Sequence, residues 1–259
     1  MTITTQETQT GTAATPSAIL DRISLVLDAF DGRESLALAE VVLRTGLPRS
    51  SAHRMLDRLV QLRWLRREGR SYSLGIRLVE LGSLAVHQDR VHAASGEHLH
   101  HLYRATGLVV HLAVLDGDDV VYLDKIGGRL AAHVPTRVGG RRPASSTALG
   151  KALLAFNGGR GPEATRIREL GYATERNSAV PGFGCIAAPI GSVGDATTAV
   201  SICGPLTKMN FDSRMISPIQ LAANAIWRNV SGGVRITPTL QRRNILRALP
   251  SAPSVLAEG

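Results

Sequence analysis

The stretch from Ser35 to Leu74 constrains the fold most, because it joins two helical patterns through a break of glycine and proline and ends in an arginine-rich hairpin. In the first pattern the apolar side chains share one face. Gly46 follows where a residue in the left-handed conformation ends a helix. Pro48 suits the start of the next helix, because its missing N–H group is not needed there. The break therefore predicts two short helices joined by a tight turn.

The second pattern runs from about Arg49 to Gln61 and separates an apolar face from a polar one. The apolar face is formed by Ala52, Met55, Leu56, Leu59 and Val60. The polar face is short and cationic at its N-terminal end, as in a helix that enters the major groove of DNA, where arginine reaches guanine edges and serine or histidine reaches bases or phosphates. Its predicted DNA-contacting residues are Arg49, Ser50, Ser51, His53, Arg54 and Arg58.

A two-stranded hairpin is predicted directly after this helix. Apolar side chains flank a turn at Glu68-Gly69, and arginines surround it. A helix-turn-helix followed by a basic hairpin is a winged helix, in which Arg67 and Arg70 are further predicted DNA contacts. The alternative is a solvated helical hairpin whose charges serve solubility. The ordered combination of break, cationic face and hairpin favours binding to duplex DNA.

The composition favours a polyanionic partner and a chain of two domains. The 259 residues are 44% hydrophobic, which is enough to bury a core, and their formal net charge is +9 with a pI of about 10.5. No apolar run reaches membrane-spanning length, and the N-terminus lacks the charged start and apolar core of a signal peptide. We therefore expect a cytoplasmic protein without a membrane partner.

The sequence contains no complete metal-binding or redox motif. The only cysteines are Cys185 and Cys203, and we interpret them as small buried apolar residues rather than redox switches. The histidines of a helix predicted from about Val91 to Thr106 lack a carboxylate or thiol that would complete a metal site. Lys151 follows a glycine, but the other residues of a phosphate-binding loop are missing. The sequence thus predicts neither a metal nor a cofactor.

Five segments are expected along the chain. They are a disordered N-terminus (residues 1–16), the winged helix (17–75), a linker helix (76–90), a second domain (91–232) and a basic tail (233–259). The first helix is expected to follow a capping Ser17 and to end at Asp31-Gly32. Its predicted inner face is formed by Ile19, Ile23, Val26, Leu27 and Phe30.

The linker helix has a broad apolar face without an obvious partner in the wing. That face is formed by Ile76, Val79, Leu81, Leu84 and Ala85. A helix of this kind between two domains often pairs with its twin across a two-fold axis, so we expect a homo-oligomer. An ordinary helix packed within one domain is the alternative.

The second domain is predicted to be a mixed α/β domain, so that the whole chain is α+β. One hairpin is expected between residues 108 and 126 and another between residues 182 and 205. Helices are expected at about residues 147–156, 164–172 and 216–230, the last opening at Ser217-Pro218. A glycine-rich loop is expected to lead from the first hairpin to the first of these helices.

Five motifs occur in an informative order. They are the Gly46-Leu47-Pro48 turn followed by SSAHRML, the linker LGIRLVELG, the hairpin VHLAVLDGDDVVYLDKI, the helix ASSTALGKALLA and the strand GFGCIAAPI. Together they resemble the IclR family of bacterial transcriptional regulators over about residues 17–231. The resemblance implies a winged helix-turn-helix, a linker helix and a C-terminal effector-binding domain of GAF-like α/β fold. It also implies a cytoplasmic repressor or activator that binds palindromic operators as a dimer or tetramer.

The resemblance also implies an effector site. In the family, effector contacts come from the start of the helix that holds the Gly-Lys pair, from a loop acid and from the cysteine-bearing strand. Carried over by position, the implied residues are Ala131, Val134, Arg142, Ala148, Leu149, Glu175, Phe183 and Cys185. The chain departs from the family pattern in a shortened stretch between Ala155 and Tyr172, in Asn177 and Ser178 where an acidic pair is usual, and in its tail after Gly233.

The residues before the predicted helix at Thr147 suggest an anion-binding site. Ser145 and Ser146 are expected to cap this helix, whose free N–H groups and positive dipole end attract an anion, and two arginines lie just upstream. We therefore expect a small organic acid as effector, its carboxylate at the helix start and a hydroxyl donating to Glu175. The alternative is that the serines cap a purely structural helix.

Three functions compete at this point. The first is a ligand-responsive transcriptional regulator, in which effector binding shifts the placement of paired DNA-binding domains. The second is a small-molecule enzyme with an accessory DNA-binding domain. It lacks support, because the C-terminal half offers no ordered nucleophile, base and acid and no metal quartet. The third is an architectural DNA-binding protein without a ligand, which a filled pocket would favour.

Overall fold

The structure is a computed structural model that describes residues 19–178 and 180–232. The expected disordered N-terminus, the capping Ser17 and the basic tail lie outside the described residues. The chain divides into two compact units, whose boundary in the sequence falls between Ala93 and Ala94. Among the described residues, no helix combines the length and apolar character that crossing a bilayer requires.

The first unit is a winged helix followed by a further helix. Its elements are α1 (Ile19–Asp28), β1 (Leu36–Ala37), α2 (Leu38–Thr45), α3 (Arg49–Gln61), β2 (Leu65–Glu68), β3 (Ser71–Leu74) and α4 (Ile76–Gln88). The strands form an antiparallel sheet in the order β1-β3-β2. The two helices around the break and the hairpin are confirmed, whereas the pattern does not predict β1.

The break between α2 and α3 forms as the glycine and proline signals predict. Gly46 has a φ of 67°, and its N–H group donates to the carbonyl of Val42, which closes α2. Helix α3 begins directly after Pro48. The elements then bury one contiguous core of Val26, Phe30, Leu36, Val41, Leu47, Ala52, Leu56, Leu59, Leu65 and Tyr72. The cationic face of α3 is therefore held on a packed scaffold.

Two predictions for this unit need correction. Glu68 pairs with Ser71 in the ladder, so the wing turn is Gly69-Arg70 rather than Glu68-Gly69. Gly69, at a φ of 59°, supplies the left-handed conformation of that turn. Helix α1 ends at Asp28, before the predicted stop, and Ile19 at its first position is 67% exposed because it precedes the part of the helix that packs on the core.

The second unit is built on one antiparallel sheet. Helix α5 (Arg90–Thr106) spans the boundary, and the unit continues with β4 (Val109–Asp116), β5 (Asp119–Ile126), α6 (Gly128–Ala131), β6 (Arg141–Pro143), α7 (Ala148–Phe156), α8 (Pro162–Leu170), β7 (Ala173–Arg176), β8 (Phe183–Ile190), β9 (Thr198–Pro205) and α9 (Ser213–Gly232). The strand order is β6-β5-β4-β9-β8-β7. The mixed α/β fold and both predicted hairpins are confirmed.

Helix α9 begins earlier than its sequence suggests. It starts at Ser213, so Pro218 lies inside the helix instead of at its first turn. Asp212 supplies the N-terminal hydrogen bonds, because its side chain accepts from the N–H group of Arg214 at 3.0 Å and its carbonyl accepts from later N–H groups. The Ser217-Pro218 pair is therefore not the start signal that was predicted.

Helix α7 packs closely against the sheet. Its buried residues include Ala148, Leu149, Ala152, Leu153 and Ala155. Gly150 is required at its position, since an added Cβ atom would lie 2.1 Å from the carbonyl oxygen of Ala144. Small residues thus bring the start of α7 down onto strands that also carry polar side chains.

Candidate DNA-binding groove and effector cavity

A groove of about 980 Å³ lies between the start of α3 and the wing. Of the predicted DNA-contacting residues, those that line it are Arg49, Ser50, His53, Arg54, Arg67 and Arg70. The sequence pattern does not single out the other lining residues, which are Ala37, Leu38, Ala39 and Tyr72. The arginines are exposed, so the groove presents positive charge to solvent.

Ser51 and Arg58 lie on α3 but outside this lining. Ser51 is half-buried, and the Nη1 atom of Arg58 donates to Oε1 of Gln61 at 3.0 Å, one turn further along the helix. Both side chains remain at the surface of α3. The structure therefore groups six of the eight residues around one concavity and leaves these two beside it.

Asp57 connects the recognition helix to the wing. Its Oδ2 atom lies 3.1 Å from Nδ1 of His53, and its Oδ1 atom lies 3.9 Å from Nη1 of Arg67. Arg67 also donates from Nε to the carbonyl of Gly69 at 3.1 Å, and its guanidinium lies 5.5 Å from the centroid of the Tyr72 ring. The wing arginine is thus oriented by an acid on the neighbouring helix, which the sequence pattern did not identify.

The wing is joined firmly to α4. Glu80 accepts from Arg77 at 2.8 Å and from Arg63 at 2.9 Å, and the hydrogen bond from Arg77 holds the pKa of Glu80 below its usual value. The N–H group of Gly75 donates to the carbonyl of Trp64 at 2.7 Å. Backbone and side-chain bonds therefore both link the start of α4 to the base of the wing.

The apolar face predicted on α4 is exposed within the single chain. The exposed fractions are 56% for Ile76, 61% for Val79, 37% for Leu81 and 52% for Leu84, and no residue of this helix is buried. Ala85 is exposed as well. A row of large apolar side chains in water is unfavourable and is typical of a surface that pairs with another molecule.

A second, much smaller cavity lies in the second unit, between the sheet and the start of α7. It is lined by His111, Tyr122, Val134, Thr136, Thr147, Ala148, Leu149, Val180, Cys185, Ser201 and Cys203. Its volume is about 20 Å³. That is room for about one water molecule, so the cavity is closed around a nearly filled interior.

The residues implied for effector binding fall into three groups. Val134, Ala148, Leu149 and Cys185 line the cavity. Ala131 and Phe183 pack in the adjoining apolar cluster that contains Val134. The two remaining residues are charged and are not among those that line the cavity. Arg142 donates to the carbonyl of Pro135 at 3.2 Å, and the buried Glu175 accepts from the N–H group of Ser178.

Polar groups on three strands form one wall of the cavity. His111 of β4 stands opposite Lys125 of β5 and Ser201 of β9, and its Nε2 atom lies 2.8 Å from Oγ1 of Thr136. Burial, and then the charge of Lys125, lowers the pKa of His111 to about 3, while burial raises the pKa of Tyr122 to about 12. At neutral pH this wall therefore offers uncharged hydrogen-bonding groups.

Lys125 holds the loop that closes the cavity. Its Nζ atom donates to the carbonyl of Val134 at 2.8 Å and to that of Thr136 at 2.6 Å. Together with the His111 contact and the Arg142 bond, these interactions fasten the segment 134–136 over the sheet. An ammonium group beside a cavity with neutral polar walls suits an anionic ligand.

The start of α7 is capped differently from the prediction. Thr147 is the capping residue, with the extended φ and ψ of −122° and 149°, and its Oγ1 atom accepts from the N–H group of Gly150 at 3.0 Å. Ser145 and Ser146 lie in the preceding 3-10 turn, where the Ser146 hydroxyl donates to the carbonyl of Pro143. The prediction that these serines cap α7 is therefore wrong.

Several cavity residues were missed because no local motif marks them. His111, Tyr122, Ser201 and Cys203 belong to three separate strands, and only the strand register brings them together. One signal was present: in the strand VVHLAVLD, His111 is the only polar residue before the terminal Asp116, and the two residues on either side of it are apolar.

Comparison with known proteins gives consistent matches along the chain. The IclR helix-turn-helix domain matches residues 19–69, and the bacterial transcriptional regulator IclR C-terminal domain matches residues 83–165. The HTH-type transcriptional regulator XynR of Escherichia coli is 30% identical over 199 residues, which cover 66% of this chain and 79% of XynR. The regulator KdgR of E. coli is 29% identical over 192 residues, covering 64% and 73%.

A solved structure has a similar fold. It is an IclR homologue from Microbacterium hydrocarbonoxydans complexed with 4-hydroxybenzoate, with a TM-score of 0.70 and 26% identity, covering 83% of this chain and 100% of that one. A winged helix with an arginine-lined groove, followed by a separate α/β unit with an internal cavity, defines a helix-turn-helix DNA-binding protein. The chain belongs to the IclR family of bacterial transcriptional regulators. It is a DNA-binding transcriptional regulator and not an enzyme.

Proposed function

We propose that this regulator binds a palindromic operator as a homodimer or homotetramer in the cytoplasm, acts as a repressor or dual regulator, and responds to a small organic acid. The arginine-lined groove between α3 and the wing carries the proposal, because cationic groups at the start of such a helix suit phosphates and guanine edges. We assign residues 17–75 to DNA binding, 76–90 to the linker and 91–232 to effector binding.

The eight predicted DNA contacts divide by position. Arg49, Ser50, His53 and Arg54 lie at the start of α3, where residues of a recognition helix reach base edges. Arg67 and Arg70 belong to the wing and suit the phosphate backbone, as do Ser51 and Arg58 beside the groove. Helix α3 would then make the contacts to bases. The wing would supply the part of the affinity that does not depend on the DNA sequence.

The exposed face of α4 supports the proposed oligomer. Pairing two copies through Ile76, Val79 and Leu84 would remove these side chains from water, at about 25 cal/mol for each Å² of apolar surface buried. A two-fold axis through such a pair would present two winged helices in opposite orientation. The matching operator is then an inverted repeat.

The effector site is supported by the cavity at the start of α7. An aromatic acid such as the 4-hydroxybenzoate bound by the Microbacterium homologue is far larger than a cavity of about 20 Å³. Binding would therefore require the 134–136 segment to leave the sheet, which breaks its bonds to Lys125 and frees that ammonium group for a carboxylate. The ligand thus selects an opened state of the second unit.

The small cavity also favours one alternative, an architectural DNA-binding protein without an effector. The protein of that alternative would keep the closed cavity in the presence of any small acid. Its affinity for DNA would be the same with and without any acid. In a regulator, by contrast, the acid binds one of two states of the protein more tightly and thereby changes the affinity for DNA.

A selection followed by a ligand titration tests the proposal. Duplexes are selected from a random library with the full chain, and we expect an inverted repeat to emerge. The selected duplex is then titrated with protein in the presence of 4-hydroxybenzoate and a panel of small carboxylic acids. If at least one acid changes the affinity for the duplex, and that acid is recovered chemically unchanged afterwards, the result supports the regulator. If the affinity for the duplex is the same with every acid, the result supports the architectural alternative.

A further inference from the structure

The two cysteines of the chain lie directly opposite each other on neighbouring strands. Cys185 of β8 pairs with Cys203 of the antiparallel strand β9. Both are free thiols, and both line the effector cavity. We propose that Cys185 and Cys203 are a modification site, at which hydrogen peroxide forms a reversible disulfide within the chain.

The strand register satisfies the geometry that a disulfide needs. Residues directly opposite in antiparallel strands have Cα atoms about 4.5–5.5 Å apart, and disulfides join Cα atoms about 4.4–6.8 Å apart. The two thiols therefore require only a change of side-chain rotamer, and the backbone of β8 and β9 keeps its pairing. Because the two cysteines lie on different strands, no local sequence motif marks them as a pair.

The surroundings give the two thiols different roles. Contact with Cys203, followed by burial, raises the pKa of the Cys185 thiol, so this thiol keeps its proton. Lys125 interacts electrostatically with Cys203, and positive charge stabilises the negative charge on an attacking sulfur. Cys203 is thus the sulfur that reacts, and Cys185 is the thiol that resolves the intermediate. Glu175 adds negative charge on the Cys185 side.

The chemistry balances with peroxide as the oxidant. The Cys203 thiolate attacks one peroxide oxygen, the O–O bond breaks, and the leaving hydroxide takes a proton to become water. The sulfenic acid on Cys203 is then attacked by the sulfur of Cys185, which loses its proton, and the S–S bond forms as a second water leaves. The two thiols lose two electrons in total, and one peroxide molecule accepts them.

The size of the cavity selects the oxidant. Its volume of about 20 Å³ admits a molecule close to water in size, which describes hydrogen peroxide. A bulky disulfide such as oxidised glutathione does not fit beside Cys203, which is 2% exposed. Because large disulfides cannot reach Cys203, this site differs from exposed thiols that exchange with the cellular disulfide pool.

Alkylation and mass spectrometry test the site in the full chain. Protein is treated with hydrogen peroxide, quenched with N-ethylmaleimide under denaturing conditions and analysed by intact mass and by a non-reducing peptide map. Because the sequence contains two cysteines, loss of both adducts in a monomeric chain identifies the bond, and dithiothreitol should restore both. Oxidised glutathione should give little disulfide in the same time.

Two variants of Lys125 test whether its charge assists the oxidation, or whether the proximity of the two cysteines is sufficient. Lys125→Met should oxidise on the order of threefold to tenfold more slowly, because the positive charge that stabilises the attacking sulfur is gone; Lys125→Arg, which keeps the charge, should not. Both thiols still alkylated after peroxide, a bond only between chains, or equal rates with peroxide and oxidised glutathione would each overturn the proposal.

Discussion

Asp57 of the recognition helix lies 3.9 Å from the guanidinium of Arg67 in the wing, so an acidic group stands within the face proposed to contact DNA. In the proposed complex this acid would repel phosphates, and its contacts with Arg67 and His53 would orient both side chains. The two effects oppose each other. Repulsion lowers the affinity for every duplex, whereas orientation of the side chains raises the preference for the operator sequence.

Replacing this acid should therefore trade specificity for affinity. In Asp57→Asn, we expect binding to random duplex to strengthen by up to about 1 kcal/mol, the Coulomb energy of unit charges about 4 Å apart in water. The ratio of operator affinity to random-duplex affinity should fall. Fluorescence anisotropy with both duplexes measures it. Glu68→Gln is the matched control, since Glu68 pairs with Arg66 outside the groove lining; the same fall there would contradict a special role for Asp57.

The two classes of arginine should differ in how they respond to salt and sequence. We expect Arg54→Ala to weaken operator binding by about 1–3 kcal/mol and to relax the preference at one position. Arg67→Ala should weaken binding about equally on all duplexes and lower the slope of log affinity against log salt by about 1. Gel shifts at several salt concentrations measure both effects. Arg160→Ala, in the second unit, is the control and should bind as the wild type does.

Local signals in the sequence were sufficient for the two helices around the break in the DNA-binding half. Gly46 and Pro48 act within a few residues of their own position, and the helical spacing of α3 directly records which face is buried. The groove, however, also needs Tyr72, Asp57 and the start of α2, which tertiary packing brings to it. The sequence motifs therefore identify the arginines of the groove but not the residues that orient them, Asp57 and Tyr72.

The effector half was less predictable because its features depend on pairing. Strand β6 is a short run containing two arginines, and it is a strand only because it pairs with β5. The cavity draws His111, Ser201 and Cys203 from strands far apart in sequence, and no spacing rule encodes that register. Even the capping residue shifted by one or two positions, from the serines to Thr147.

The junction between the wing and α4 should not tolerate a methyl group. An added Cβ atom at Gly75 would lie 2.2 Å from the carbonyl oxygen of Arg63, a backbone atom that cannot move alone. We expect Gly75→Ala to lower the free energy of unfolding by about 1–3 kcal/mol. Urea denaturation measures it. In Gly82→Ala the new methyl group meets open space within α4, so that control should gain about 0.5–1 kcal/mol; a loss of equal size there would contradict the steric explanation.

His111 should make the second unit sensitive to acid. Its pKa is lowered from 6.5 to about 3 in the folded chain, so below about pH 6.5 the unfolded chain binds a proton that the folded chain does not. Stability is therefore lost as the pH falls from about 6.5 to about 3, at up to about 1.4 kcal/mol per pH unit. His111→Gln, which stays neutral, should lack this loss. Urea denaturation at pH 6.5, 5.5 and 4.5 compares them, and parallel curves would show that His111 is not the responsible group.

The apolar face of α4 should decide the oligomeric state. Val79 is 61% exposed in the single chain, so a charge there is harmless in a monomer but would be buried in a pair. We expect Val79→Asp to be monomeric by analytical ultracentrifugation and to lose operator affinity by roughly 100-fold or more, because each half-site is then bound alone. Val193→Asp places the same charge on a residue of the second unit that is 58% exposed, and it should remain an oligomer with unchanged affinity. Were Val79→Asp to sediment as the wild type does, α4 would not be the pairing surface, and the inverted-repeat operator would lose its structural basis.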